Sequence, residues 1–135
     1  MKGQTKLLTV LSLIIIAMIV GLILFGAREV NVSVNSDFVS FDGMYGKKLY
    51  FKDITEISMK DTIPRYDRKI VGSYNNKTMK GKFVLQGLGE STLFIKDRKA
   101  PVIYIISDKD RVIINYKDAA KTKELYDILM SNWKK

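Results

Sequence analysis

The pattern of apolar and polar positions divides the chain into two unlike parts. Residues 7–27 form a run of 21 residues that carries no charge and is apolar except at two hydroxyl residues and two glycines. A helix of this length extends about 31 Å, which matches a bilayer core about 30 Å thick. The run therefore predicts a transmembrane anchor helix at 7–27, preceded by a short N-terminal tail at 1–6.

The residues at the two ends of this run indicate whether it is cleaved and how it is oriented in the membrane. A cleaved signal peptide has an apolar core of about 7–15 residues and a small-x-small cleavage site. This run is longer, and Phe25 stands where a small residue is needed, so an uncleaved anchor is favoured over cleavage after Ala27. Lys2 and Lys6 precede the run and Arg28 follows it. The positive-inside rule then predicts a single-pass protein of the cell membrane, with a cytoplasmic N-terminus and an extracytoplasmic domain.

After the run, the apolar positions recur at every second residue, as Val30, Val32 and Val34 do. This alternation is typical of half-buried β-strands. Further stretches of strand character are 37–41, 48–59, 69–74, 79–86, 91–96, 101–107 and 111–116. Turn residues such as Asn75-Asn76 and Asp108-Lys109-Asp110 separate them. Short strands with short connections predict an antiparallel meander.

The last stretch has helical spacing. Asp118 is a good N-cap, because its carboxylate can accept from backbone amides at the positive end of the helix dipole. Apolar residues then recur every three or four positions, at Thr122, Leu125, Tyr126, Leu129 and Trp133. This predicts an amphipathic helix at 118–133 that covers the curled sheet. Its spacing places Trp133 in the core rather than at a membrane interface.

Some of these segments resemble a known family. They are DITEI at 53–57, RKIVG at 68–72, GKF at 81–83 and the long stretch at 101–129 that begins PVIYIISDKD. Together with the order of elements, they resemble the bacterial pleckstrin-homology-like (PH-like) domains of small membrane-anchored proteins. The resemblance implies a mainly β protein, in which residues 28–135 form a PH-like antiparallel β-barrel or curled sheet capped by one C-terminal helix. In eukaryotic relatives, basic residues in an early loop bind phosphoinositides, and the nearest equivalents here are Lys47 and Lys48.

The absence of cysteine and histidine excludes several kinds of catalytic and metal-binding site. The chain has no cysteine and no histidine, which excludes disulfides, thiolate nucleophiles and histidine-based catalysis or metal binding. A small hydrolase would have to use carboxylates, such as Asp53 with Glu56 or Glu90 with Asp97. Asp108-Lys109-Asp110 lacks the glycine and the downstream glutamate of a calcium loop and is better explained as a hairpin turn. No catalytic residue, metal site or cofactor is predicted.

Basic residues are concentrated in one part of the sequence. Between residues 60 and 82 lie Lys60, Arg65, Arg68, Lys69, Lys77, Lys80 and Lys82, against two aspartates. Such a cluster would attract an anionic surface. The alternative is a set of solvated charges on different strand faces. Nucleic acid is not an expected partner, because the chain is predicted to be tethered to a membrane and exported, and its phenylalanines are expected in the core.

These observations predict a membrane-anchored, non-catalytic PH-like binding or scaffolding module that engages a protein partner. One alternative is recognition of anionic lipid headgroups through the basic residues. A second alternative is a small carboxylate-dependent hydrolase.

Overall fold

The computed structural model describes residues 2–26 and 31–133; within the first helix it describes the side chains at 3–16 and 18. Two helices flank nine strands: α1 (Lys2–Gly26), β1 (Val32–Val34), β2 (Phe38–Phe41), β3 (Lys47–Tyr50), β4 (Ile54–Lys60), β5 (Tyr66–Tyr74), β6 (Met79–Leu85), β7 (Gly89–Ile95), β8 (Val102–Ser107), β9 (Arg111–Ile114) and α2 (Ala119–Trp133). Most strands and the C-terminal helix fall within a few residues of their predicted bounds. Val30, predicted to lie on the first strand, falls outside the described residues.

The prediction of a membrane anchor needs correction. No helix within the described ranges is long and apolar enough to cross a membrane. Three predictions are therefore wrong. They are the transmembrane helix at 7–27, the integral one-span association with a membrane and the single-pass location in the cell membrane.

The nine strands form two sheets. The first has the order β1-β2-β3 and is antiparallel. The second has six strands in the order β4-β8-β9-β7-β6-β5. In this sheet β7 and β9 are parallel, with Leu93 opposite Ile113, and the other neighbours are antiparallel. The fold is mainly β, as predicted, but it is not a simple antiparallel meander.

The predicted PH-like barrel is also wrong, because the described strands form two open sheets. The predicted strand at 48–59 is in fact two strands that belong to different sheets. A 3-10 turn at Phe51–Asp53 separates β3 from β4. Barrel closure would require hydrogen bonds between the edges of the two sheets, and this turn carries the chain from one sheet to the other without pairing them.

The core lies on both faces of the six-stranded sheet. On one face, Ile105 and Val112 pack against residues of the small sheet and of α2. On the other face, Tyr104 and Ile113 pack with residues of β6 and of the loop before β5. Strands β8 and β9 are therefore buried on both sides, which explains their nearly continuous apolar sequences.

Helix α2 begins and packs as its sequence predicts. The amide of Ala120 donates to the carboxylate of Asp118 at 2.9 Å, which confirms the N-cap. Leu125 and Leu129 are buried. Trp133 packs against the core and its indole N–H donates to the carbonyl of Ile54 at 3.2 Å, so the core prediction for Trp133 is confirmed. The helix thus covers the β4 end of the six-stranded sheet.

Candidate functional site

The candidate site is the β5–β6 hairpin, defined here as residues 65–86, at the other end of the six-stranded sheet. Its turn is held by Asn75, whose side-chain oxygen accepts from the amides of Lys77 at 2.7 Å and Thr78 at 2.8 Å. This confirms the turn predicted from Asn75-Asn76. Strand β5 is the last strand in the described order of the sheet, so its outer edge has no neighbouring strand there.

The hairpin bends sharply. The rings of Tyr66 and Tyr74 have centroids 5.3 Å apart, although they are the first and last residues of β5. A straight strand would separate these residues by about 27 Å. The bend is allowed by register shifts after Tyr66 and after Lys69 and by the facing pair Gly72 and Gly81. The two tyrosines enclose Phe83, with centroids 5.7 and 6.1 Å from its ring.

Facing glycines at this bend let the two backbones approach closely. A Cβ atom on Gly72 would lie 2.7 Å from the Cα of Gly81, and φ at Gly72 is +131°. A Cβ on Gly81 would lie 2.6 Å from the Cα of Gly72, and φ there is +129°. Only glycine meets both conditions without strain. No local sequence pattern shows that these two glycines face each other, and the strand register does.

Most of the predicted basic cluster lies on this hairpin. Its members from the sequence analysis are Lys60, Arg65, Arg68, Lys69, Lys77, Lys80 and Lys82. Six of them lie within residues 65–86, and Lys60 lies on β4, at the opposite edge of the sheet. The Nζ of Lys60 is 4.8 Å from the centroid of the Tyr104 ring. Lys60 is therefore separate from the hairpin cluster.

The basic side chains of the hairpin occupy both of its faces. Arg68 is opposite Val84, and Ser73 is opposite Lys80, so Arg68, Lys80 and Lys82 share one face. Lys69 is opposite Phe83 and lies on the other face, where its Nζ is 5.8 Å from the Tyr74 ring centroid. The sequence left open whether these residues share a face, and the register shows that they do so only in part.

The hairpin accounts for the net charge of the region. Residues 31–133 contain 18 basic and 13 acidic residues, of which the hairpin holds six basic and one acidic residue. Twelve residues of each sign remain in the rest of the region. The single acid of the hairpin, Asp67, accepts a hydrogen bond from Gln86 at 3.0 Å. The positive charge is thus concentrated at one end of the sheet.

Arg98 is a residue that the sequence analysis missed. It lies in the turn between β7 and β8, yet its Nη1 donates to the carbonyl of Asn75 at 2.8 Å. Its backbone amide donates to the carbonyl of Lys77, also at 2.8 Å. Arg98 is thus attached to the tip of the hairpin at two points. No local sequence signal gives this contact, since residues 75 and 98 meet only through strand pairing.

Buried Asn115 holds the turn that carries Arg98. Its side-chain oxygen accepts from the amide of Lys96 at 2.8 Å, and its side-chain nitrogen donates to the carbonyl of Asp97 at 2.7 Å. Asn115 is 1% exposed. A buried amide with both groups satisfied fixes the backbone it bonds. The position of Arg98 is therefore preorganised by the core.

A cavity of about 480 Å³ lies beside the bend of the hairpin. It is lined by Thr62, Ile63, Pro64, Arg65, Tyr66 and Arg98. A hydrogen bond with Tyr74, together with desolvation, raises the pKa of Tyr66 above its ordinary value, while the charge of Arg98 lowers it. Tyr66 therefore keeps its proton at neutral pH, and its hydroxyl is engaged with Tyr74.

The predicted headgroup loop lies elsewhere. Lys47 forms an ion pair with Asp110, with 2.6 Å between Nζ and the carboxylate. Lys48 places its Nζ 4.4 Å from the centroid of the Phe38 ring. Lys48 also lines a cavity of about 280 Å³ together with Asp53 and Asp108. These acids weaken the attraction of this loop for an anion, so Lys47 and Lys48 do not extend the hairpin cluster.

The carboxylates considered for hydrolysis have local partners. Glu56 accepts a hydrogen bond from the hydroxyl of Ser58 at 2.8 Å. Asp97 accepts from the amide of Lys99 at 2.9 Å. In the part of the chain that the structure describes, no group of three or more acids is arranged to hold a metal ion. The turn at Asp108-Lys109-Asp110 connects β8 to β9, as predicted, and the amide of Ser107 donates to the carbonyl of Asp110 at 2.8 Å.

Comparison of the chain with protein-family models, curated proteins and solved structures gives no match. The resemblance to bacterial PH-like domains is therefore untested and remains a prediction.

Proposed function

We propose that the protein is a non-catalytic binding module that engages an acidic partner protein through the β5–β6 hairpin. The observation that carries this proposal is the concentration of charge: the hairpin has six basic residues and one acid, while the rest of residues 31–133 is balanced. A surface of one sign attracts and orients a partner of the opposite sign. The proposal needs no anchor in a membrane.

Apolar contact area supports a protein partner. Six large apolar side chains of residues 31–133 are exposed, and three of them, Ile70, Val71 and Tyr74, lie on β5. Protein interfaces combine apolar side chains with arginine and aromatic residues at their centre. The hairpin offers these residue types together, at the end of the sheet that α2 leaves uncovered.

The alternative of an anionic lipid surface is favoured by the same charge, since each basic residue close to such a surface contributes about 1 kcal/mol. The arrangement of the charges favours a protein. Arg68 and Lys80 lie on one face of the hairpin and Lys69 lies on the other. A flat membrane can contact only one of these faces, whereas a protein can contact both.

The test compares two charge reversals. The variant Arg68→Glu with Lys80→Glu changes two exposed residues of the hairpin, and the control Lys52→Glu with Lys109→Glu changes two exposed residues outside it. Both variants have the same net charge. We expect the unmodified protein to bind immobilised polyglutamate in a salt-sensitive way. The hairpin reversal should weaken this binding by about tenfold or more, and the control should not.

Vesicles of phosphatidylcholine with phosphatidylserine test the alternative. Binding to these vesicles without binding to polyglutamate would favour the lipid surface. Equal losses in the hairpin variant and the control would show that net charge alone is responsible, and would overturn the proposal.

A further inference from the structure

We propose that the cavity beside the hairpin bend is a binding site for a phosphate monoester carried by the partner protein, with Arg65 and Arg98 as its cationic ligands. This inference rests on the proposed function and names the group that the module recognises. It concerns a cavity whose second arginine comes from outside the hairpin.

Neither Arg65 nor Arg98 forms an ion pair with a carboxylate of the described residues. The described lining of the cavity contains no acid. Two guanidinium groups beside one concave surface repel each other unless an anion joins them. The uncompensated charge therefore favours an anionic ligand.

The cavity is already arranged for binding. The backbone amide and the Nη1 of Arg98 are both bonded to the hairpin tip, and Asn115 fixes the turn behind it. The carbonyl of Arg65 accepts from the amide of Gln86 at 2.9 Å. The backbone of the cavity wall and the side chain of Arg98 therefore need little ordering on binding, which favours affinity.

The donors in the cavity suit a phosphate monoester better than a carboxylate. Arg65, Arg98 and the hydroxyl of Thr62 all offer hydrogen-bond donors. A phosphate monoester has three terminal oxygens and a charge near −2 at neutral pH, which matches two guanidinium groups. A carboxylate has one charge and two oxygens and would leave one arginine unmatched.

The walls of the cavity suit an ester rather than the free ion. Ile63 and Pro64 contribute apolar surface next to the ring of Tyr66. Such surface can cover the carbon portion of the ligand next to the phosphate. We therefore expect an organic phosphate to bind more tightly than inorganic phosphate.

The test uses the whole protein and phenyl phosphate as the probe, with binding followed by the side-chain N–H resonances of the arginines in NMR titrations. Arg65→Gln and Arg98→Gln each remove one charge and keep an amide donor. Arg68→Gln is the matched control, because it removes the same charge from β5 at a position outside the cavity lining. We expect the first two variants to weaken binding by about tenfold or more and the control by about twofold or less.

Several results would overturn the inference. One is an equal loss of binding in Arg68→Gln, which would indicate a diffuse charge effect. Another is benzoate binding as tightly as phenyl phosphate, because that would remove the preference for phosphate. A third is arginine-dependent binding to vesicles that contain phosphatidic acid without binding to a phosphotyrosine peptide, which would assign the site to lipid.

The inference and the proposed function can fail separately. If polyglutamate binds and phenyl phosphate does not, only the phosphate site is refuted. If neither binds, both are refuted. Because Arg98→Gln could also loosen its turn, the exposed Arg65→Gln variant provides the independent test, and amide spectra of both variants confirm that the fold is retained.

Discussion

Tyr104 connects the centre of the large sheet to the loop that leads into the hairpin. It is 4% exposed, and its hydroxyl donates to the carbonyl of Thr62 at 3.0 Å. Thr62 belongs to the lining of the proposed phosphate site. One buried hydroxyl group therefore helps to position the start of the cavity wall.

The ionisation of Tyr104 gives a prediction about alkaline stability. Burial, and then the charge of Glu56, raise the pKa of Tyr104 above its ordinary value. Above pH about 10 the unfolded chain loses the Tyr104 proton while the folded chain keeps it. The free energy of unfolding should therefore be unaffected by this group below pH 10 and should fall as the pH rises through the folded pKa.

The variant Tyr104→Phe provides the check, with urea unfolding measured from pH 7 to pH 11. At pH 7 the variant should lose about 1 kcal/mol, because the carbonyl of Thr62 loses its donor. Its alkaline decline should be shallower than that of the unmodified protein. Some decline should remain, since the pKa of Tyr66 is also raised. Identical slopes for the two proteins would contradict the assignment.

At the scale of elements, the β5–β6 hairpin depends on its paired glycines. The bend brings Tyr66 beside Tyr74 and forms the wall of the cavity. In Gly81→Ala the new Cβ would clash with the carbonyl of Val71 and with the Cα of Gly72, at a φ that alanine rarely adopts.

We expect Gly81→Ala to lower the free energy of unfolding by about 2–3 kcal/mol and to weaken binding at the hairpin. The control is Ser73→Ala, an exposed substitution on β5 that should change stability by less than about 0.5 kcal/mol. Denaturant unfolding measures the free energy of unfolding of both variants. If Gly81→Ala leaves this free energy unchanged, the bend does not require two glycines.

The elements themselves follow closely from local sequence. Alternating apolar residues predicted the strands, and Asp118 with its apolar stripe predicted α2. The predicted strand at 48–59 was wrong because the apolar pattern continues through Phe51, which is buried within a 3-10 turn. The apolar pattern indicates which residues are buried. In this segment buried residues continue through a change of backbone direction, so the pattern does not show where one strand ends and the next begins.

At the scale of the whole molecule, a stacked aromatic pair joins the two sheets. Phe41 of the small sheet and Phe94 of the large sheet have ring centroids 5.6 Å apart and nearly parallel planes. Their exposures are 1% and 4%. This contact holds the small sheet on the large one and covers the face opposite the proposed site.

Replacing Phe41 with alanine should lower the free energy of unfolding by about 3–5 kcal/mol, because it removes a buried ring and leaves a cavity between the sheets. Phe38→Ala is the control on the same strand, and it should lower the free energy of unfolding by less because the ring of Phe38 is only half-buried. Thermal and urea unfolding measure the two losses. Equal losses would show that the stacked pair has no special role in joining the sheets.

Local sequence patterns predict most strands, the C-terminal helix, the basic stretch and the turns at Asn75-Asn76 and Asp108-Lys109-Asp110. These features depend on residues that are close in the chain. Only the pairing of distant strands gives the open two-sheet arrangement, the parallel β7–β9 pair and the separation of Lys60 from the hairpin cluster. It also brought Arg98 to Asn75 and placed Arg65 and Arg98 around one cavity. Such contacts depend on which strands pair and in which register, and that choice is made by the burial of the whole sheet rather than by any local run of residues.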